Sequence, residues 1–284
     1  GPDADRAALR WWAQAVAGRV AAKDRGKSPP LTATAAVSVA VVCQDEERHL
    51  RRCLESVAWC AERVVIDGGS HDRSVQIARE FTPHVVHHPW PGYRAQKQYA
   101  FDRATQPWVL SLDADERVTP ELAAEIRRAV ARAPALVDGF AIPRLVPYLG
   151  RWWYRGGWYP RRVLRLVRRE RAHWGGIDPH DRLEVPGTVL PLRYPIVHYT
   201  YADVAAHLRT VVRFSEVAAA QRAQRSVERG RLVAAPTWRF WRSWLLRSGW
   251  REGFPGFFVA ATDAFYVFLR AAIMHQRRNG GRSE

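Results

Sequence analysis

Between residues 37 and 112, short β-branched or apolar runs alternate with stretches of helical spacing, and this alternation is the strongest constraint on the fold. Residues 37–42, 64–66, 85–87 and 108–112 read as strands, while residues 46–59, 72–81 and 94–105 carry apolar side chains at helical intervals. Strand and helix in strict alternation predict a mostly parallel, doubly wound α/β sheet. In such a sheet ligands bind outside the carboxyl ends of the strands. The loops at those ends supply Asp45 and Glu46, then Asp67-Gly68-Gly69-Ser70, then Asp113 and Asp115 after the apolar Trp108, Val109, Leu110 and Leu112.

Each loop has a chemical reading. Aspartates two apart can bracket one hard cation, Mg²⁺ or Mn²⁺, which prefers oxygen ligands and can bridge them to phosphate. A single such pair is more often a solvated turn, but three acidic or glycine-rich loops on one edge make a pocket. Asp67 ends its strand where a carboxylate can accept from a nucleobase N–H or a ribose hydroxyl, and Ser70 can cap the helix that follows.

Composition narrows the partner. The chain has 284 residues, 47% of them hydrophobic, enough to bury one large domain or a domain plus an appendage. Its net charge of +16 is nearly all arginine, which suits phosphate and anionic surfaces. Cys43, Cys53 and Cys60 fit neither a disulfide framework nor a zinc pattern, so a reducing, cytoplasmic setting is expected. Gly1-Pro2 has the form of a protease-cut end, and no signal-peptide pattern follows it.

The segments VSVAVVCQDEE, VVIDGGSHDRS, YRAQKQYA and WVLSLDADERVTPEL, in that order, resemble the GT-A (Rossmann-like) domain of family 2 glycosyltransferases. HHPWPGYRAQKQYA, RGGWYPRRVLRL and PHDRLEV resemble the lipopolysaccharide core β-1,4-glucosyltransferase group in particular. The likeness runs from Val37 to about Tyr199. It implies that Asp67 reads the uracil of a UDP-sugar donor, with Asp45 and Glu46 near base or ribose and Lys97 close to the donor. Asp113 and Asp115 would be the DXD pair, Asp115 the more direct metal ligand. Asp45 stands where such enzymes usually carry Asn, which exchanges a donor-and-acceptor amide for an acceptor alone. Asp181 of PHDRLEV, expected just before a strand, would be the catalytic base in the position commonly held by Glu. His180 is the alternative, because imidazole titrates near working pH. His198 could complete the metal site, although a lone histidine is more often packed.

Past a strand at residues 139–143, residues 149–160 are dense in Trp, Tyr and Gly. Trp158 and Tyr159, with Arg155 and Arg161 beside them, are the acceptor-binding candidates. The arginine run of residues 161–171 reads either as a solvated strand face or as a cradle for an anionic glycan. Residues 202–284 lack strand signals and form a helical, basic-aromatic C-terminal region. Tryptophan interleaved with arginine over residues 222–251 favours a membrane interface, and residues 254–274 are apolar but broken by Pro255, Gly256, Asp263 and Arg270. An amphipathic basic helix is also expected over residues 5–23.

The expected organisation is an N-terminal helix and linker (1–36), a GT-A catalytic domain (37–201) and a membrane-associating region (202–284). The expected activity is inverting transfer of a sugar, glucose by resemblance, from a UDP-sugar to a lipid-linked or anionic glycan such as a lipopolysaccharide inner core. Mg²⁺ or Mn²⁺ would assist, on the inner face of a bacterial cytoplasmic membrane. Transfer to polyprenyl phosphate is the enzymatic rival. A nucleic-acid-binding protein would account for the arginines and aromatics but not for strand-end carboxylates, which repel phosphate. No nucleic acid is therefore expected.

Overall fold

The structure is a computed structural model that describes residues 35–178, 180–221 and 229–280. The helix expected over residues 5–23 and the basic stretch at 222–228 lie outside the described residues. The chain divides into two compact units. The first runs up to Arg144 and takes in Arg162–Gly176 and Asp181–His198, while the second comprises Leu145–Arg161, Ile177–His180 and the chain from Tyr199 onward.

In chain order the elements are β1 (Ala35–Cys43), α1 (Leu50–Ser56), β2 (Cys60–Asp67), α2 (Ser74–Phe81), β3 (Val85–His87), α3 (Tyr93–Asp102), β4 (Trp108–Asp113), β5 (Glu116–Val118) and α4 (Pro120–Arg132). There follow β6 (Val137–Tyr148), β7 (Arg151–Trp153), β8 (Arg161–Arg168), β9 (His173–Ile177), β10 (His180–Glu184), β11 (Thr188–Pro191) and β12 (Ile196–His198). The C-terminal helices are α5 (Val204–Ala220), α6 (Arg229–Trp241) and α7 (Gly253–Gly280).

The large sheet has the order β3-β2-β1-β4-β8-β6-β12-β5, and its first four strands are parallel, as the alternating pattern predicts. The last seven residues of β1 are all buried, because a parallel sheet is covered on both faces. Val37, Val39 and Val41 join a cluster with Leu50, Leu54, Leu122 and Ile126. Ala40 and Val42 join Val64, Ile66 and Phe101 in another. β8 then runs antiparallel to β4, and β12 antiparallel to β5.

Register aligns the strand ends: Cys43 of β1 stands opposite Asp67 of β2, and Val42 opposite Asp113 of β4. Helix α1 is shorter than the pattern at residues 46–59 predicts. The backbone N–H groups of Asp45, Glu46 and Glu47 bond to Ser70, Ser74 and Asp72, so the chain there serves a loop instead of a helical turn.

Within the second unit, β7 pairs with the end of β6 and buries Trp153, whose indole N–H donates to the Tyr148 carbonyl at 2.9 Å. Around it gather Tyr148, Trp158, Tyr201, Phe258 and Val259. His207 of α5 is buried, bonded to the Tyr148 hydroxyl at 3.0 Å and stacked on Tyr201, and burial pushes its imidazole down to about 4. Helix α7 runs without interruption through Pro255, Gly256, Asp263 and Arg270, the residues that break the apolar run of the sequence. Pro255 sits in its first turn, where a missing N–H costs nothing, and Gly256 meets the Gly249 carbonyl where a side chain has no room.

Candidate active site

The site is built on the carboxyl ends of β1, β2 and β4. Asp67 is 3% exposed and accepts from the backbone N–H groups of Gly69 (3.0 Å) and Ser70 (3.1 Å), with His87 Nδ1 at 3.2 Å. Burial alone would raise its carboxyl, but bonds from Ser70, His87 and Gly69 outweigh burial and hold it below the ordinary carboxylate range. Gly69 has φ +102°, which lets the loop turn back onto that carboxylate. Asp45 also adopts a positive φ, of 55°, a conformation Asp tolerates, and accepts from the His71 N–H at 2.7 Å. The acceptor face of Asp45 therefore serves the loop, as an Asn oxygen in its place would. The Glu46 backbone N–H holds Ser74 at 2.8 Å, tying this loop to the start of α2.

Asp113 lies at the centre of a buried charge network. Lys97 of α3 reaches its Oδ1 at 3.0 Å, Arg165 of β8 its Oδ2 at 2.6 Å, and Arg144 of β6 stands 3.7 Å away. Arg165 and Arg144 each also lie 3.0 Å from Glu116, which is fully buried and accepts from the Asp113 backbone N–H. The second oxygen-bearing partner of Lys97 is Asp181 of β10, at 2.9 Å, and the ammonium lies 5.0 Å from the Trp174 ring. Three cations thus face three carboxylates. Burial alone would raise the Asp113 carboxyl, but Arg165, Lys97 and Arg144 hold it well below its ordinary value. Burial works against Lys97 and Arg165 in turn, and the neighbouring carboxylates keep both above theirs.

Asp115 occupies the turn between β4 and β5, outside this network. His198 stands opposite Glu116 in the β12–β5 pairing, which brings its Nε2 to 3.1 Å from Asp115 Oδ2. Among the described residues, no group of three or more His, Cys, Asp or Glu has metal-holding geometry. A carboxylate and an imidazole are nevertheless a fitting pair of donors for a divalent ion whose remaining ligands are diphosphate oxygens and water. Both oxygens of Asp113 already face cations, so it suits the role of organiser better than that of metal ligand.

The sequence-predicted residues thus divide. Asp45, Glu46, Asp67, Lys97, Asp113, Asp115, Asp181 and His198 all lie in the first unit. Asp181 lies within β10 rather than before a strand. His180 belongs to the second unit, its Nε2 3.0 Å from the Tyr266 hydroxyl. There too, Trp158 packs on Tyr148, Trp153 and Tyr201, and Tyr159 meets Tyr154 edge-on. Arg155 reaches Glu252 at 3.1 Å, and Arg161 is exposed at the start of β8. Trp152 and Tyr154 are the more exposed aromatics of this loop. Sequence reasoning missed Glu116, Arg144 and the buried role of Arg165. A signal existed for the last, since Val163 and Val167 flank it on one strand face.

The mostly parallel sheet, with a carboxylate at the end of β2 and an acidic turn at the end of β4, has the GT-A fold, and the match to a family model makes the protein a glycosyltransferase. The family model for Glycosyl transferase family 2 matches residues 38–182, and the chain belongs to that family. It is 30% identical over 251 residues to the lipopolysaccharide core biosynthesis glycosyltransferase LpsC of Rhizobium meliloti (strain 1021), covering 85% of this chain and 92% of that one. An uncharacterized glycosyltransferase of Rickettsia typhi is 26% identical over 257 residues, covering 84% and 87%. Among solved structures, a mannosyltransferase from Pyrobaculum calidifontis in complex with GDP-Man and Mn²⁺ matches with TM-score 0.50 and 14% identity, covering 98% of this chain and 96% of that one.

Proposed function

We propose that this glycosyltransferase moves a sugar, glucose in the simplest case, from a UDP-sugar to a hydroxyl of a lipid-linked glycan such as a lipopolysaccharide core. The observation that carries the reading is the link Lys97 makes between Asp113, at the donor end of β4, and Asp181, at 3.0 and 2.9 Å. Similarity to LpsC supports the acceptor class. In this reading Asp67 accepts from the uracil, Asp45 and Glu46 line the nucleoside, and Asp115 with His198 holds Mg²⁺ or Mn²⁺. Such an ion, when bound, offsets charge that develops on the departing diphosphate.

Asp181 takes the proton of the acceptor hydroxyl while that oxygen bonds to the anomeric carbon and the bond to UDP breaks on the opposite side. An α-linked donor then gives a β-linked product. Lys97 fixes the direction of the Asp181 carboxylate. Tyr159, Arg155 and Arg161, with the exposed part of Trp158, contact the acceptor, and arginine suits a phosphorylated or acidic glycan.

Asp181→Asn keeps the shape and removes the proton acceptor. Transfer should fall by roughly 10²–10⁴, the usual loss for a general base, while calorimetric affinity for UDP with Mn²⁺ stays the same. A variant with near-normal turnover would remove the base from Asp181 and favour an acceptor that is itself an acid, such as a polyprenyl phosphate.

A further inference from the structure

An apolar face on the helical hairpin of the second unit takes no part in the proposed catalytic chemistry. Helices α6 and α7 are antiparallel: Arg239 reaches Asp263 at 3.0 Å, and Phe240 meets Phe257 with ring centroids 5.6 Å apart. Arg239, Phe240, Phe257 and Asp263 thus mark the seam between the two helices. With about 3.6 residues per turn, Trp238 and Trp241 lie roughly 160° and 100° ahead of Phe240, and Phe254, Phe265 and Phe268 lie roughly 20–80° ahead of its partner Phe257. Offsets in the same sense on antiparallel helices fall on one side of the hairpin. All five side chains are exposed, Phe254 at 77%, and Leu245 and Leu246 at the turn are 50% and 68% exposed. From Phe254 to Phe268 the stripe runs about 21 Å. Soluble monomers rarely leave so long an aromatic stripe uncovered.

We infer that this face lies in the lipid–water interface of a single anionic leaflet, with both helices parallel to the membrane plane. Tryptophan and arginine occur together, with Arg242 and Arg251 exposed at the turn and Arg277 and Arg278 exposed at the far end of α7. That combination sets indoles at headgroup depth and guanidinium groups against lipid phosphate, and the net charge of +16 complements an anionic surface. Residues Gly249–Arg278 are long and apolar enough to cross a membrane by length and composition alone. A spanning helix is apolar on all sides, whereas α7 packs one side against α6 through the Arg239–Asp263 pair and is aromatic on another. Arg239 and Arg247 belong to the fold, the first bound to Asp263 and the second pressed against Gly157, so apolar side chains are the informative targets.

This inference specifies the membrane contact of the proposed lipid-acceptor enzyme, and lipid binding without substrate tests it separately from the donor and base assignments. Wild type should sediment with phosphatidylglycerol-containing vesicles, and the exposed-site double variant Leu246→Glu/Phe254→Glu should lose at least about tenfold in partitioning while its melting temperature holds. A fluorophore on Phe265→Cys should be quenched by spin labels at shallow depth, the native cysteines being buried and unreactive. Unchanged vesicle binding by the double variant would overturn the inference. So would quenching at the bilayer centre, which marks a span, or a wild-type dimer in lipid-free sedimentation that the variant abolishes, which marks a self-interface.

Discussion

A guanidinium buried between two carboxylates is hard to replace, because removing Arg165 leaves Lys97 and Arg144 to face three carboxylates. Arg165 donates to Asp113 at 2.6 Å and to Glu116 at 3.0 Å while 5% exposed. Arg165→Met should therefore cost about 3–5 kcal/mol in denaturant unfolding, as breaking a buried pair does elsewhere. Arg165→Lys should recover only part, since an ammonium lacks the planar fork that reaches two acceptors. A cost below about 1 kcal/mol for the methionine variant would mean that Lys97 and Arg144 balance the carboxylates without it. Residues at strand ends were legible in the sequence, as Asp67, Asp113 and Asp115 illustrate, because position along a parallel strand fixes where a side chain emerges. Arg165 was not, because its burial depends on antiparallel pairing with β4, a contact of long sequence separation.

The loop after β2 is an element whose shape depends on one backbone angle. Gly69 at φ +102° directs its N–H onto Asp67, and an L side chain adopts that angle only with strain. Gly69→Ala should cost about 1–3 kcal/mol and weaken UDP binding, measured by thermal unfolding and by titration of UDP. Unchanged values for both would mean that the loop readjusts freely. The strands around it were readable from their apolar runs, and β3 begins and ends where the pattern predicts. Helix α1 was overestimated because Ser70, Asp72 and Ser74, a strand away, bond the backbone that would have formed its first turn. The start of helix α7 was not legible, because Pro255 and Gly256 interrupt the apolar run of the sequence while lying in the first turn of the helix.

For the molecule as a whole, the buried His207 makes stability fall in mild acid. His207 binds a proton only near pH 4 in the native state, against 6.5 ordinarily, so the unfolded chain takes up the proton first as pH falls. Its contribution is fully present above about pH 6.5 and is lost on descent toward pH 4. His49, also lowered chiefly by burial, acts in the same sense. Melting temperature should therefore fall between pH 6.5 and 4, and His207→Gln should fall less steeply over that range; equal slopes would refute the assignment. The charge network of the site has a consequence for biosynthesis. Arg165 lies 52 residues after Asp113 and 49 after Glu116. At a ribosomal rate of about 5–20 residues per second, the two acids precede their guanidinium by roughly 3–10 s. During that interval the nascent chain has an open β4 edge beside acids that lack the one guanidinium joining them to β8, so translation of β8 sets the earliest moment at which the acidic turn takes its final shape.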